Sequence, residues 1–84
     1  MNIINYKANQ TLVETPVFRA LLSYGVPQVV VLYKERQTLV TTKRYSNTTN
    51  KHRNAAVRDL HPTNFTIVEA TPEEIQEATG LETR

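Results

Sequence analysis

Between Lys43 and Arg53 the chain gathers Lys43, Arg44, Tyr45, Ser46, Thr48, Thr49, Lys51, His52 and Arg53, cations interleaved with hydroxyls and an imidazole. No acidic residue interrupts the run. Side chains of these types donate hydrogen bonds and carry positive charge, the chemistry that holds phosphate oxygens. The stretch from about Asn47 to Leu60 reads as a helix, with Ser46 or Thr48 as N-cap, Ala55, Ala56, Val57 and Leu60 as the inward stripe, and Pro62 beyond its end. A helix N-terminus carries about half a positive charge, so isolated helices favour Asp or Glu in the first turn. This one opens on cations instead, each placement costing a few tenths of a kcal/mol at an exposed site. An anion bound at the free N–H groups of the first turn would complete the set. Asn47, Asn50, Asn54 and Arg53 would suit base edges if the helix entered a major groove.

A second reading of the same residues needs no ligand. Ser46 or Thr48 serves only as a cap, Tyr45 is a core or rim aromatic, and the cations pair with the acidic final helix. Charge segregation makes such pairing natural. Residues 34–58 hold Lys34, Arg36, Lys43, Arg44, Lys51, Arg53 and Arg58 against Glu35 alone, a balance of +6. Residues 63–84 hold Glu69, Glu73, Glu74, Glu77 and Glu82 against Arg84, a balance of −4. The net charge of +2 hides this division into a basic middle and an acidic tail.

Catalytic and metal chemistry find few residues. His52 and His61 are the only imidazoles, Asp59 is the only Asp and there is no Cys, so a zinc or two-metal centre lacks ligands. A Ser-His-Asp arrangement would draw on Ser46 or Ser23 with His52 and Asp59, but no nucleophile elbow frames either serine. Tyr45 beside Arg44, His52 and Arg53 has the makings of a phosphodiester nucleophile, in a chain too small to shield the reaction. Two glycines far apart exclude a Gly-rich phosphate loop. The expectation is a protein that is not an enzyme and takes no cofactor.

The segments Ser23-Tyr24-Gly25-Val26-Pro27 and Thr41-Thr42-Lys43-Arg44-Tyr45-Ser46-Asn47-Thr48-Thr49-Asn50-Lys51-His52 resemble a family of small uncharacterised bacteriophage proteins bearing Ser-Tyr-x-x-Pro and Tyr-Ser-x-Thr-Thr-x-x-His. The likeness covers about residues 23–58. It implies a phage origin and a shared positional role for Tyr45, Ser46, Thr48, Thr49 and His52, and no mechanism. Arg53 stands where that pattern has Gln, and the N-terminal third lies outside it. Small phage accessory proteins act by binding host machinery, antiviral nucleases and CRISPR complexes included, so the resemblance adds an anti-defence, anti-CRISPR-like inhibitor as the alternative to a nucleic-acid binder.

The elements that must position these residues fit one small domain of 84 residues. Gln28 to Lys34 is a β-branched run apolar on both faces, a central strand, and Thr38 to Lys43 pairs with it as a hairpin whose turn lacks Gly or Asn. Asn64 to Glu69 alternates as another strand, while Ile3 to Tyr6 and Thr11 to Val13 are candidates of which one forms an edge. Thr71-Pro72-Glu73-Glu74 carries a capping box ahead of a helix closed by Gly80. Thr15-Pro16 followed by Val17, Phe18, Leu21 and Leu22, with Gly25 beyond, repeats that framing and is read as a helix, a buried strand being the alternative. The fold expected is α+β, a small antiparallel sheet of three to four strands packed against two to three helices as one pair of layers.

With 39% hydrophobic and 21% charged residues the chain is globular, and without Cys it suits a reducing cytosol. No apolar run reaches the ~18 residues of a membrane span, and the N-terminus lacks a signal-peptide pattern. The Asn-x-Thr sequons at Asn9, Asn47 and Asn64 then follow from a chain rich in Asn and Thr. The partner expected is nucleic acid, or a host complex that binds it, in the cytoplasm of an infected bacterium. A homodimer through an exposed sheet edge is a third arrangement.

Overall fold

The computed structural model describes residues 1–82. Its elements are β1 (Asn2–Lys7), β2 (Gln10–Glu14), β3 (Phe18–Ser23), β4 (Val26–Leu32), β5 (Gln37–Thr41), α1 (Asn47–Leu60), β6 (Thr66–Ala70) and α2 (Pro72–Thr79). The six strands form one sheet in chain order. β1 to β5 are an antiparallel meander, whereas β6 joins β5 in parallel, with α1 as the crossover. The sheet is therefore mixed and six-stranded, not a three- to four-stranded antiparallel one, and it carries two helices. Both Ile3 to Tyr6 and Thr11 to Val13 are strands, paired with each other.

The segment read as a helix after Thr15-Pro16 is β3. Thr15 explains the confusion. Its Oγ1 accepts from the N–H of Phe18 at 2.9 Å and of Val17 at 3.1 Å, while its own N–H donates to the Phe18 carbonyl at 2.8 Å. A hydroxyl bonded to the N–H three residues on is the N-cap bond, and here it closes the turn between two strands. Gly25 likewise ends no helix. With Tyr24 at φ 50 and Gly25 at φ 79, the pair makes the two-residue turn of a β3–β4 hairpin, where positive φ at both positions matches the twist of the strands. In the β4–β5 turn, which has no Gly or Asn, Arg36 takes φ 54 and its carbonyl accepts from the Thr66 N–H at 3.0 Å.

Successive residues of a strand face opposite sides of the sheet, and both sides are covered over β3 and β4. Leu21 and Val29 pack with Ala56 of α1, joined by Tyr6, Val57 and Leu60. Val13, Phe18, Ala20, Val30, Leu39 and Ala70 pack on the other side with Ile75 of α2. The fold has three layers, helix, sheet and helix, in place of the two expected. α1 and α2 lie on opposite faces of the sheet, and the acids Glu73, Glu74 and Glu77 of α2 are exposed. Among the described residues none of Arg44, Lys51 and Arg53 forms an ion pair with a carboxylate.

α2 starts as its sequence dictates. Thr71 Oγ1 accepts from the Glu74 N–H at 3.2 Å, Glu74 accepts from the Thr71 N–H at 2.9 Å, and Gly80 closes the helix at φ 75. These bonds hold the Glu74 carboxyl below its usual range.

Candidate functional site

Ser46 is the cap of α1. Its hydroxyl accepts from the Thr49 N–H at 3.1 Å, and its carbonyl accepts from the Asn50 N–H at 2.9 Å. Thr48, the other cap candidate, is exposed in the first turn, with Asn47 and Lys51 beside it. The first turn holds no acid, and Arg58 is the basic residue of the last.

Thr49 and His52, one turn apart, face inward and meet Ser23 at the end of β3. The Ser23 hydroxyl donates to Thr49 Oγ1 at 3.2 Å and lies 2.7 Å from His52 Nδ1. The His52 ring stacks on Tyr24, centroids 6.2 Å apart, and the Tyr24 hydroxyl accepts from Asn9 Nδ2 at 3.2 Å. At the far end of α1, His61 Nδ1 sits 2.7 Å from Thr38 Oγ1 of β5. Two imidazole–hydroxyl bonds thus tie α1 to the sheet at both ends. Ser23 is 1% exposed, and Asp59 pairs with Lys7 at 3.8 Å and Arg58 at 3.5 Å.

Lys43 lies over the Tyr45 ring, its Nζ 4.9 Å from the centroid. The ring is half-buried, while its hydroxyl oxygen is closed off from solvent with no hydrogen-bond partner among the described residues. Burial first, and the Glu73 carboxylate second, push the phenol above its ordinary range. A group whose proton is held more tightly in the folded chain contributes stability that is complete below the ordinary tyrosine range near pH 10 and lost as pH climbs through the folded-state value. Tyr45→Phe is therefore expected to lose less stability than the parent between pH 9 and ~11. At pH 7 it should match or exceed the parent, because the orphaned hydroxyl is removed with its desolvation cost. Urea melts at the two ends of that range check this, and a loss above ~1 kcal/mol at pH 7 would contradict it.

The remaining cations converge on a groove. Arg44, from the loop after β5, and Arg53, from the second turn of α1, line an open cleft of about 320 Å³ with Val40, Thr41, Thr42, Asn54 and Glu69. It lies on the α1 face at the C-terminal ends of the parallel pair β5 and β6. Crevices outside the carboxyl ends of parallel strands are where open α/β sheets bind ligands. Arg53 Nε donates to Asn54 Oδ1 at 3.4 Å, a long bond that leaves most of its guanidinium uncommitted.

The nine residues of the basic run therefore divide. Arg44 and Arg53 share the groove, Thr48 and Lys51 are exposed on α1, Ser46 caps, Thr49 and His52 anchor the helix, and Lys43 stacks on Tyr45. Of the proposed base readers, Asn54 lines the groove and Asn47 is exposed, whereas the Asn50 Oδ1 is buried without a partner among the described residues. Thr42 and Glu69 were missed by sequence reasoning. Only recognising that β6 returns parallel to β5 would have placed them, and five-residue strands carry no such mark. Among the described residues no group of three or more His, Cys, Asp or Glu is placed to hold a metal. No helix among the described residues is long and apolar enough to cross a membrane. No family model, curated protein or solved structure matches the chain.

Proposed function

We propose that the protein acts by occupancy, as a phage-type accessory protein whose α1 face contacts nucleic-acid phosphates. The observation that carries this reading is the groove in which Arg44 and Arg53, nine residues apart, stand beside Thr42 and Asn54, with no carboxylate among the described residues paired to either. Guanidinium groups take phosphate oxygens in bidentate fashion, and neutral donors beside them fix register. Lys51, Thr48 and the first turn of α1 extend the surface, and Glu69 across the groove accepts hydrogen bonds from a base or ribose donor.

The test is a titration against labelled DNA and RNA. Four phosphate contacts, by Lys43, Arg44, Lys51 and Arg53, predict an affinity loss of about a hundredfold between ~50 and ~200 mM salt. Arg44→Ala with Arg53→Ala leaves two, so the loss over the same interval should shrink to about tenfold, with weaker binding at ~50 mM throughout. An unchanged salt slope in the double variant would sink the reading.

The acidic face of α2 favours a second. Glu73, Glu74 and Glu77 are exposed on α2, the helix on the other face of the sheet from α1. An inhibitor of a host antiviral complex would lay that acidic face in a basic nucleic-acid channel, where it competes with the natural ligand. Absence of nucleic-acid binding at both salts, with capture of a defence complex that Glu73→Lys and Glu77→Lys abolish, would select it.

A further inference from the structure

We infer that the open cleft between α2 and the sheet docks a short segment of a partner protein, one that presents a large apolar side chain with Lys or Arg beside it. The cleft, about 370 Å³, lies on the face opposite α1. Strand alternation builds its floor. Leu39 of β5 stands beside Val68 of β6, with Leu32 at the end of β4 and Ala70 at the end of β6 on the same side, and all four join the core beneath Ile75 of α2. A helix of eight residues is only about 12 Å long, so it does not roof the whole floor. Leu32 and Val68 are left half-buried at its flank.

The wall of the cleft is acidic. Glu74, Glu77 and Ala78 recur at the spacing of one helix face and line the cleft together. Both glutamates are exposed, and among the described residues neither forms an ion pair. Glu74 commits one oxygen to the Thr71 N–H, which leaves the other for a ligand. Ala78, the small residue of that face, adds no bulk to close the opening.

Floor and wall together select the occupant. An apolar floor gains from covering by an aliphatic or aromatic side chain, and two carboxylates beside it call for a cation within reach of that side chain. The same carboxylates repel phosphate, which disfavours nucleic acid and anionic lipid here. Gln37, at the turn end of the cleft, offers both a donor and an acceptor to a peptide backbone. A protein segment supplies all three complements at once: the apolar side chain, the cation and the amide. The site stands apart from the α1 groove, where Arg44 and Arg53 lie on the other face. One docked side chain with one or two exposed charge pairs supports a dissociation constant on the order of 0.1 mM.

Amide chemical shifts of the full isotope-labelled chain, titrated with capped hexapeptides to ~2 mM, test this. The probe is Gly-Arg-Leu-Lys-Arg-Gly, compared with one form in which Ala replaces Leu and another in which Gln replaces each cation. The probe should shift Leu39, Val68, Glu77 and Ala78 to saturation, and each altered peptide should bind about tenfold more weakly. Glu77→Lys should weaken the probe about tenfold, while Glu69→Lys, on the α1 face, should bind it like the parent. If Glu77→Lys disturbs α2, Glu77→Gln replaces it with an expected loss of about threefold. No saturable shift at ~2 mM, equal binding of the three peptides, shifts centred away from the cleft, or a Glu77 variant that binds like the parent would each overturn the inference. Shifts at the same residues that grow with protein concentration in the absence of peptide would give the cleft to a second copy and overturn it as well.

Discussion

Leu21→Ala is expected to lower stability by about 3 to 4 kcal/mol, enough to bring the chain close to unfolding at 37 °C. Leu21 is fully buried in the middle of β3, between β2 and β4, with α1 pressed on it. Neighbouring strands on both sides are fixed by their ladders, so the space left by the lost methyl groups cannot collapse. For a domain of this length each kcal/mol is worth about 4 to 8 °C, and the melting temperature should fall by about 15 to 25 °C. The dependence on urea should keep its slope and shift only its midpoint, because the native state stays intact until it unfolds as a whole. A shift below ~1 kcal/mol would mean that the α1 layer packs differently from the description given above.

Ile75→Ala is expected to cost about 3 kcal/mol by a different route. Ile75 is the one buried residue of α2, a helix of eight residues, too short to persist in water without packing. Shortening that side chain should let α2 leave the sheet while β1 to β5 and α1 remain. Val30, Leu39 and Ala70 would then be solvated in the native state, so the urea slope itself should fall. Amide exchange separates the two variants: α2 should lose protection in Ile75→Ala before β3 and β4 do, whereas in Leu21→Ala all three should exchange together. Loss of protection in β3 at the same denaturant concentration as in α2 would show that the two faces unfold as one unit.

How much of this was legible beforehand depended on which faces each element buries. α1 from Asn47 to Leu60 was readable because Ala56, Val57 and Leu60 repeat on one stripe, and α2 because its cap, Pro72 and Gly80 each have one job. The β4–β5 hairpin followed from its β-branched run. β3 was not readable, since a strand buried on both faces shows little alternation, and Phe18, Leu21 and Leu22 fit a helical stripe as well. The basic run pointed to one stretch of chain, but Ser23 and Tyr24 divided it, drawing Thr49 and His52 inward and leaving Arg44 and Arg53 for the groove.

The parallel β5–β6 pair also governs the order in which the chain can assemble. Each pairing from β1 to β5 closes across a turn of a few residues, a search completed in microseconds, and each stands earlier in the sequence than α1. β6 must instead wait for residues 42 to 65 to be in hand and for α1 to find its face, a closure whose entropy is spent before any contact repays it. During synthesis the meander is complete while the crossover is still emerging, so for that interval Val40 and Leu39 stand at a temporary edge with nothing beyond them. Gln37, Thr38 and Thr41 make that temporary edge less apolar than Leu39 and Val40 alone would.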